Sequence, residues 1–556
     1  MNRQGAAAML NLWYKNAVVY CLDVETFIDS NGDGVGDFRG LADRLDHIEA
    51  LGATCIWLLP FHPTPNRDNG YDVTDYYNVD PRLGTLGDVV EFMQAAQDRG
   101  LRVIVDLVVN HTSIDHPWFQ EARRDRNSPR RNWYVWSDTK PKDADKGMVF
   151  PGVQQSTWTY DKVAGAWYMH RFLKHQPDLN ITNPEVREEI QRIMGFWLQM
   201  GASGFRIDAV PFLIEYRDQK APAGRRDPHQ YLNEMREFLS WRRAEAMLLA
   251  EANIPDKEVD EYFGDNDRLH MIFNFLLNQN TFLALARKTA APVAKRLKGA
   301  PPIPPSAQWA TFLRNHDEVD LGRLSDQERQ EVFAAFGPEK DMQLYDRGIR
   351  RRLAPMLGGD PRRLAMAYSL MFSLPGTPVI WYGDEIGMGE DLSLPDRQPV
   401  RTPMQWSDEA NAGFSDAPAK RLVRPVVTAG TFGHQRVNVT LQQQQPGSLL
   451  QHMQRLTRIR RACPEIGWGQ YEVLPTAEEG ILLLRYAWRD NALLIAHNFS
   501  DRALSTPLRL DQEVSRVVPL LSSDGDNLVG TTIAPDAQLE LEPYGFRWFR
   551  LGPQRR

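Results

Sequence analysis

The heptapeptide GFRIDAV, residues 204–210, carries the pattern that decides the fold. It is an apolar, β-prone run in which only Arg206 and Asp208 are charged. A near-continuous apolar run of this length is typical of a strand that is buried on both faces, as in a parallel sheet. Because alternate side chains of a strand point to the same side, we expect Arg206 and Asp208 to project together.

Seven further runs of this kind occur along the chain, and helical patterns separate them. The stretch FRGLADRLDHIEALG (38–52), for example, has helical periodicity and ends at glycine. Eight strand–helix units predict an α/β fold, a (β/α)₈ TIM barrel that carries insertions. The other runs are VVYCLDV (18–24), CIWLLP (55–60), VIVDLVV (103–109), MLLAEAN (247–253), MIFNF (271–275), WATFLRN (309–315) and PVIWYGDE (378–385).

Two segments depart from this alternation and suggest further domains, as a chain of 556 residues requires. Residues 111–178 are too many for a structureless loop, so we predict an inserted subdomain there, after the third strand. From residue 465 to 556 the pattern changes to short alternating strands, among them GILLLRYAW (480–488) and TTIAP (531–535), which predicts a C-terminal antiparallel β-sandwich domain. The barrel is then built from residues 1–110 and 179–464.

Acidic residues follow several of the predicted strands. Asp208, Glu251 and Asp317 stand at the ends of the fourth, fifth and seventh runs, and reacting groups of parallel barrels come from these ends. Each carboxylate alone could form a surface salt bridge or cap a loop. Three carboxylates at one rim of a barrel are costly to bury, however, which favours a role in catalysis. Two carboxyl groups about 5–5.5 Å apart can cleave a glycosidic bond with retention. We expect Arg206 to keep Asp208 ionised and partial burial to raise the pKa of Glu251.

Five short motifs carry a family resemblance. In chain order they resemble the signature regions of glycoside hydrolase family thirteen, the α-amylase family. The motifs are VVNH (108–111), QPDLN (176–180), GFRIDAV (204–210), AEA (250–252) and FLRNHD (312–317).

The resemblance implies roles for particular residues. Asp208 would be the nucleophile, Glu251 the acid/base and Asp317 the residue that stabilises the transition state. The same resemblance implies a sugar subsite. Its residues would be Asp72, His111, Phe172, Gln176, Arg206, His316 and Arg401.

Longer runs, such as FGDNDRLHM (263–271) and GIRRRLAPMLGGD (348–360), resemble the branch of that family that interconverts maltose and trehalose. This branch implies a retaining transglucosylase with an enclosed pocket, since water would hydrolyse the intermediate. Residues 148–161 and 217–230 differ from the branch, which leaves an α-glucosidase or oligosaccharide hydrolase as the alternative. A non-catalytic carbohydrate-binding or partner protein is disfavoured because all three carboxylates are present. Maltose, trehalose and sucrose are the candidate substrates.

Two structural cation sites are expected, and no organic cofactor. The loop DSNGDGVGD (29–37) has the oxygen-rich spacing that binds Ca²⁺ or Mg²⁺, although Gly40 at the twelfth position excludes an EF-hand. A cluster of Asx turns is the alternative. The ligands in this loop would be Asp29, Asn31, Asp33 and Asp37. The family resemblance implies a second Ca²⁺ site with the side chains of Asn110, Asp178 and Glu215 and the backbone carbonyls of Phe212 and Leu213.

The bulk composition excludes some partners. The 65 basic and 72 acidic residues give a net charge of −7, and no dense basic segment predicts nucleic-acid binding. No apolar run is long enough to span a membrane. The three cysteines, Cys21, Cys55 and Cys463, are scattered and odd in number, which favours a reducing compartment, so we expect the cytoplasm. The sequence leaves the oligomeric state open, a homo-oligomer included.

Overall fold

The computed structural model describes residues 12–215, 227–508, 514–524 and 537–553. Eight parallel strands form a closed barrel at its centre, which confirms the predicted fold class. In chain order the strands of the protein are β1 (Val19–Leu22), β2 (Cys55–Leu58), β3 (Arg102–Leu107), β4 (Trp136–Ser137), β5 (Trp158–Asp161), β6 (Ala166–Met169), β7 (Gly204–Ile207), β8 (Met247–Ala250), β9 (Met271–Phe273), β10 (Gln308–Thr311), β11 (Val319–Asp320), β12 (Gln343–Leu344), β13 (Gly348–Ile349), β14 (Thr377–Trp381), β15 (Gln470–Val473), β16 (Ile481–Trp488), β17 (Asn491–Asn498), β18 (Leu504–Pro507), β19 (Val514–Ser522), β20 (Gln538–Leu541) and β21 (Phe546–Pro553).

The barrel strands are β1, β2, β3, β7, β8, β9, β10 and β14, each paired with the next and β14 with β1. These are the eight runs that the sequence predicted. Their residues are almost all buried, as expected of strands covered on both faces. The register sets Arg206 of β7 beside Leu249 of β8, so the carboxyl ends of these two strands lie next to each other.

Helices cover the barrel, and several begin at residues that satisfy their first amide groups. Thr85 and Asp88 form a capping box at α3, and Ser325 and Glu328 form one at α11. The helices are α1 (Phe38–Asp43), α2 (Leu45–Leu51), α3 (Leu86–Asp98), α4 (Pro117–Arg124), α5 (Pro184–Gln199), α6 (Val210–Leu213), α7 (Gln230–Arg242), α8 (Val259–Phe263), α9 (Phe275–Arg287), α10 (Ala291–Lys298), α11 (Asp326–Phe336), α12 (Leu353–Met356), α13 (Pro361–Ser373), α14 (Val439–Gln444), α15 (Leu449–Arg461) and α16 (Glu465–Trp468). Within the described ranges, no helix is long and apolar enough to cross a membrane.

Smaller sheets lie outside the barrel. A three-stranded sheet, β4-β6-β5, lies in the segment predicted as an inserted subdomain. A second one, β11-β13-β12, lies between β10 and β14 and was not predicted. Two-residue strands carry too little alternation to be recognised in a sequence.

The C-terminal part is an antiparallel β domain, as predicted. It contains a five-stranded sheet, β15-β16-β17-β21-β19, and a two-stranded sheet, β18-β20. Apolar residues of both sheets, among them Leu483, Leu494 and Leu539, form a core of their own. The strand predicted at residues 531–535 lies outside the described residues, as does most of the 217–230 segment. The domain limits themselves stay predictions.

Candidate active site

The three predicted carboxylates line one cavity at the carboxyl end of the barrel. Asp208 follows β7 directly, Glu251 follows β8 directly, and Asp317 lies on the loop after β10. The cavity has a volume of about 660 Å³, enough for a small sugar. Strand order therefore brings together side chains that are distant in sequence.

Arg206 holds two of these carboxylates on one guanidinium group. Its Nη1 donates to Asp208 Oδ1 at 2.6 Å, and its Nη2 donates to Glu251 Oε2 at 2.7 Å. Nη1 also donates to Asp106 Oδ1 at 2.8 Å. Arg206 is buried, and the rings of Trp57 and Tyr71 lie against it. The close pairing on one guanidinium suits the short carboxyl separation that retention requires.

Asp208 and Glu251 differ in pKa, and burial raises both values. Burial raises the pKa of Asp208 to about 6, and the Arg206 charge only partly opposes this. Burial, together with the charges of Asp208 and Asp317, raises the pKa of Glu251 to about 7 although Arg206 lowers it. Arg206 favours the ionised form of Asp208, as expected from the sequence, but burial outweighs its effect on the pKa, so Asp208 is ionised only above about pH 6. Glu251 still holds its proton to higher pH than Asp208 does.

Asp317 has the opposite electrostatic setting. Burial favours its neutral form, but the charges of Arg397 and Arg401 outweigh that effect and hold the pKa of Asp317 well below its usual range. Arg401 Nη2 donates to Asp317 Oδ1 at 2.8 Å, and Arg397 Nη1 lies 3.1 Å from the same oxygen. Asp317 is therefore ionised over the whole useful pH range.

The residues of the predicted sugar subsite take three positions. His111, Phe172 and Gln176 line the cavity. Arg206, His316 and Arg401 are buried behind its wall, where Arg206 and Arg401 bind the carboxylates and His316 Nε2 lies 2.8 Å from Tyr71 Oη. Asp72 takes a third position, outside the cavity lining.

Asp72 does not line the cavity. Its carboxylate accepts hydrogen bonds from Thr64 Oγ1 and from the backbone amides of Arg67 and Asp68, so it closes a turn of its own loop. Asp68, four residues earlier, lines the cavity instead and accepts a hydrogen bond of 2.7 Å from Gln176 Nε2. Burial raises the pKa of Asp68 to about 6. The prediction for Asp72 is corrected to Asp68.

Two more residues were missed by sequence reasoning. Arg397 lines the cavity and binds Asp317; its position one short helical turn before Arg401 was the available signal. Asp106, inside β3, supports Arg206 from below, and Trp57 Nε1 and Tyr71 Oη donate to its other oxygen at 3.2 Å. It lies within the apolar run VIVDLVV (103–109), and nothing in that run indicates its contact with Arg206.

The loop predicted to bind a cation is closed by its own hydrogen bonds. Asp29 accepts the backbone amides of Asn31, Gly32 and Gly34. Asn31 accepts the amide of Asp33, and Asp33 accepts that of Val35. This is the pattern of the alternative, a cluster of Asx turns. The oxygen donors suit Ca²⁺ chemically, but as arranged they bind amides.

The second predicted cation site is likewise built from protein–protein contacts. Asp178 accepts the amide of Arg171 and a hydrogen bond from Asn110 Nδ2 at 3.3 Å. Glu215 forms an ion pair with the Arg171 guanidinium, and the backbone carbonyl of Phe212 accepts the amide of Glu215. In the part of the chain that the structure describes, no group of three or more His, Cys, Asp or Glu side chains is placed to hold a metal ion. Only two of the five predicted ligands are acidic side chains, so that finding does not bear on this site, which stays a prediction.

A closed parallel barrel with paired acidic residues at its carboxyl end, an inserted sheet after β3 and a C-terminal β domain defines a class of carbohydrate-active enzymes. Residues 23–336 and 349–469 match the family model of the alpha amylase catalytic domain, and residues 491–550 match that of a sucrose hydrolase-like C-terminal domain. The chain belongs to the α-amylase family.

Individual relatives indicate members of the α-amylase family to which this chain is similar in sequence and structure. The chain is 42% identical to a trehalose synthase of Thermus thermophilus, over 98% of this chain but only 56% of the relative's length. It is 41% identical to a trehalose synthase/amylase of Mycobacterium tuberculosis, over 98% of this chain and 92% of that protein. Among solved structures, a trehalulose synthase superimposes with a TM-score of 0.76 at 26% identity, covering 97% of this chain and 100% of that one.

Proposed function

We propose that this enzyme interconverts maltose and trehalose by retaining transglucosylation. The observation that carries the proposal is the pairing of Asp208 and Glu251 on the Arg206 guanidinium, with pKa values of about 6 and 7. One group is then available as a nucleophile while the other still carries a proton. The names of the two relatives support trehalose as one of the two sugars, and the resemblance of the longer sequence runs supports maltose as the other.

In the first step, the glycosidic bond of maltose breaks. Asp208 attacks the anomeric carbon of the non-reducing glucose while Glu251 donates its proton to the leaving O4. The products are a covalent glucosyl–Asp208 ester and a free glucose molecule. Asp317, ionised by Arg397 and Arg401, accepts hydrogen bonds from the sugar hydroxyls as the ring distorts.

In the second step, the retained glucose becomes the acceptor. Glu251, now ionised, removes the proton from the anomeric hydroxyl of that glucose, whose oxygen attacks the glucosyl carbon as the bond to Asp208 breaks. Trehalose results, and both carboxyl groups return to their starting states. If water attacks instead, this step releases the glucosyl group as a second glucose molecule, and maltose is hydrolysed to two glucose molecules. Hydrolysis of α-glucosides is the alternative function, and the name trehalose synthase/amylase of one relative supports it.

Product analysis tests this proposal. We expect the purified enzyme to convert maltose mainly into trehalose, and trehalose into maltose, with glucose as the minor product in both directions. Chromatography or carbon-13 spectroscopy measures all three sugars. Glucose as the sole product from maltose would replace the proposal with the hydrolytic alternative.

We also propose that the 29–37 loop takes a structural Ca²⁺ or Mg²⁺ ion when the metal is supplied. Its carboxylate and amide oxygens support the donor chemistry, whereas its hydrogen bonds to the loop's own amides favour the Asx-turn cluster. Chelation is expected to lower the melting temperature by a few degrees, and added Ca²⁺ to restore it. A melting curve that chelator and Ca²⁺ both leave unchanged would favour the Asx turns.

We propose that the enzyme is cytoplasmic. The cysteines support this proposal, because Cys21, Cys55 and Cys463 are all buried free thiols, as is usual in a reducing compartment.

A further inference from the structure

One wall of the cavity is the aromatic ring of Phe150. This residue lines the cavity and is 5% exposed. Its ring packs on that of Tyr345 with centroids 4.9 Å apart, inclined by 33°. The Arg397 guanidinium lies 5.2 Å from the Phe150 centroid and 5.6 Å from that of Tyr345. The three side chains form one cluster, which we call the aromatic cover.

The aromatic cover joins two insertions that are far apart in sequence. Phe150 belongs to the segment between β3 and α5, and Tyr345 lies in the turn between β12 and β13. The cover therefore connects the segment that contains the sheet inserted after β3 with the small sheet that precedes β14.

Hydrogen bonds hold the Phe150 backbone in place. Gln154 Oε1 accepts the amides of Val149 and Phe150, both at 2.8 Å. Gln154 Nε2 donates to the carbonyls of Arg171 and Phe172, and Phe172 lines the same cavity. The Phe150 loop is thus tied to the cavity wall through one side chain.

The Tyr345 side of the cover is also fixed. Tyr345 and Asp346 both have left-handed backbone conformations, with φ of 55° and 53°. Such conformations cost energy in non-glycine residues and persist only where the surroundings hold them. Packing of the Tyr345 ring on Phe150 and Arg397 is one contact that does so.

Arg397 connects the cover to the carboxylates. It binds Asp317 at 3.1 Å and Glu318 at 2.7 Å, while its guanidinium face meets the two rings. An apolar ring offers water no hydrogen-bond partner. The cover therefore gives an apolar border to the cavity that Asp208, Glu251 and Asp317 also line.

We propose that Phe150, positioned by Tyr345, determines the reaction specificity by keeping the released glucose in the cavity and water out. This inference rests on the proposed function. When the Phe150 ring is present, the glucosyl group of the Asp208 ester is transferred to glucose. When the ring is lost or displaced, water reaches the ester and hydrolyses it.

The test is the ratio of glucose to trehalose formed from maltose at early times. Phe150→Ala removes the ring, and Tyr345→Ala removes its support. Both variants are expected to raise this ratio about tenfold, the size of effect that loss of one aromatic contact near a reacting group can have. Tyr345→Phe retains the stacked ring and is the matched control, expected to keep the wild-type ratio.

The ratio of glucose to trehalose distinguishes a change in reaction specificity from simple destabilisation of the fold. Both products come from one intermediate, so their ratio does not depend on how much of the enzyme is folded. If wild type makes trehalose and both alanine variants keep its ratio, the cover does not set specificity. A rise in Tyr345→Phe equal to that in Tyr345→Ala would also overturn the proposal, since the ring would then be irrelevant. If wild type releases only glucose, the proposed function itself fails.

Discussion

Replacement of Asp208 by asparagine is expected to reduce the turnover of maltose by more than about a thousandfold. An amide is a poor nucleophile and cannot form the glucosyl ester on which both steps depend. The side chain keeps its shape and still accepts a hydrogen bond from Arg206, so the fold should persist. Trehalose formation under saturating maltose gives the rate, and circular dichroism gives the melting temperature.

Two comparisons sharpen this result. Asp98→Asn, on the exposed face of α3, makes the same chemical change away from the cavity and should leave turnover unchanged. Activity of Asp208→Asn above about a thousandth of wild type would assign the nucleophile to another group. A large fall in its melting temperature would show instead that Asp208 supports the fold by balancing Arg206.

Replacement of Glu251 by glutamine is expected to lower kcat by about 10²–10⁴-fold on maltose, the usual contribution of a general acid. The loss should be much smaller for formation of the glucosyl ester from α-glucosyl fluoride, because fluoride leaves without a proton. Burst and steady-state kinetics on the two donors measure the difference. An equal loss on both donors would remove Glu251 from the role of acid.

The pH profile provides a second readout for Glu251. In wild type, kcat/KM should fall below about pH 6 as Asp208 gains a proton, and above about pH 7 as Glu251 loses its own. Both pKa values are raised, so the active form, with Asp208 ionised and Glu251 protonated, exists in a narrow window. Glu251→Gln should lose the decline on the alkaline side and keep the acidic one. A profile of unchanged shape would contradict the assignment.

Much of the fold could be predicted because it depends on regular patterns. Each barrel strand is a continuous apolar run, and the strand ends identify Asp208, Glu251 and Asp317 without any knowledge of the loops. The family motifs added His111 and Gln176, which the structure brings to the same cavity. These positions are set by strand order, which a sequence displays directly.

The parts that could not be predicted depend on the conformation of loops and on how deeply individual side chains are buried. Asp68 and Asp72 stand in the same short loop, and only its turn decides which carboxylate reaches the cavity. Arg397 and Phe150 lie on long connections whose path no periodicity describes. The raised pKa of Asp208 follows from how completely it is enclosed, a property of packing that a charged neighbour in the sequence does not reveal.

The contacts of Arg206 have one more consequence. Three carboxylates, those of Asp106, Asp208 and Glu251, bind a single guanidinium, so this corner of the barrel carries more negative than positive charge whenever two or more of them are ionised. A glucosyl ring that acquires oxocarbenium character during transfer brings the missing positive charge with it. These three carboxylates thus act as the counter-ion of the oxocarbenium-like transition state. They attract this transition state more strongly than the neutral disaccharide substrate or product.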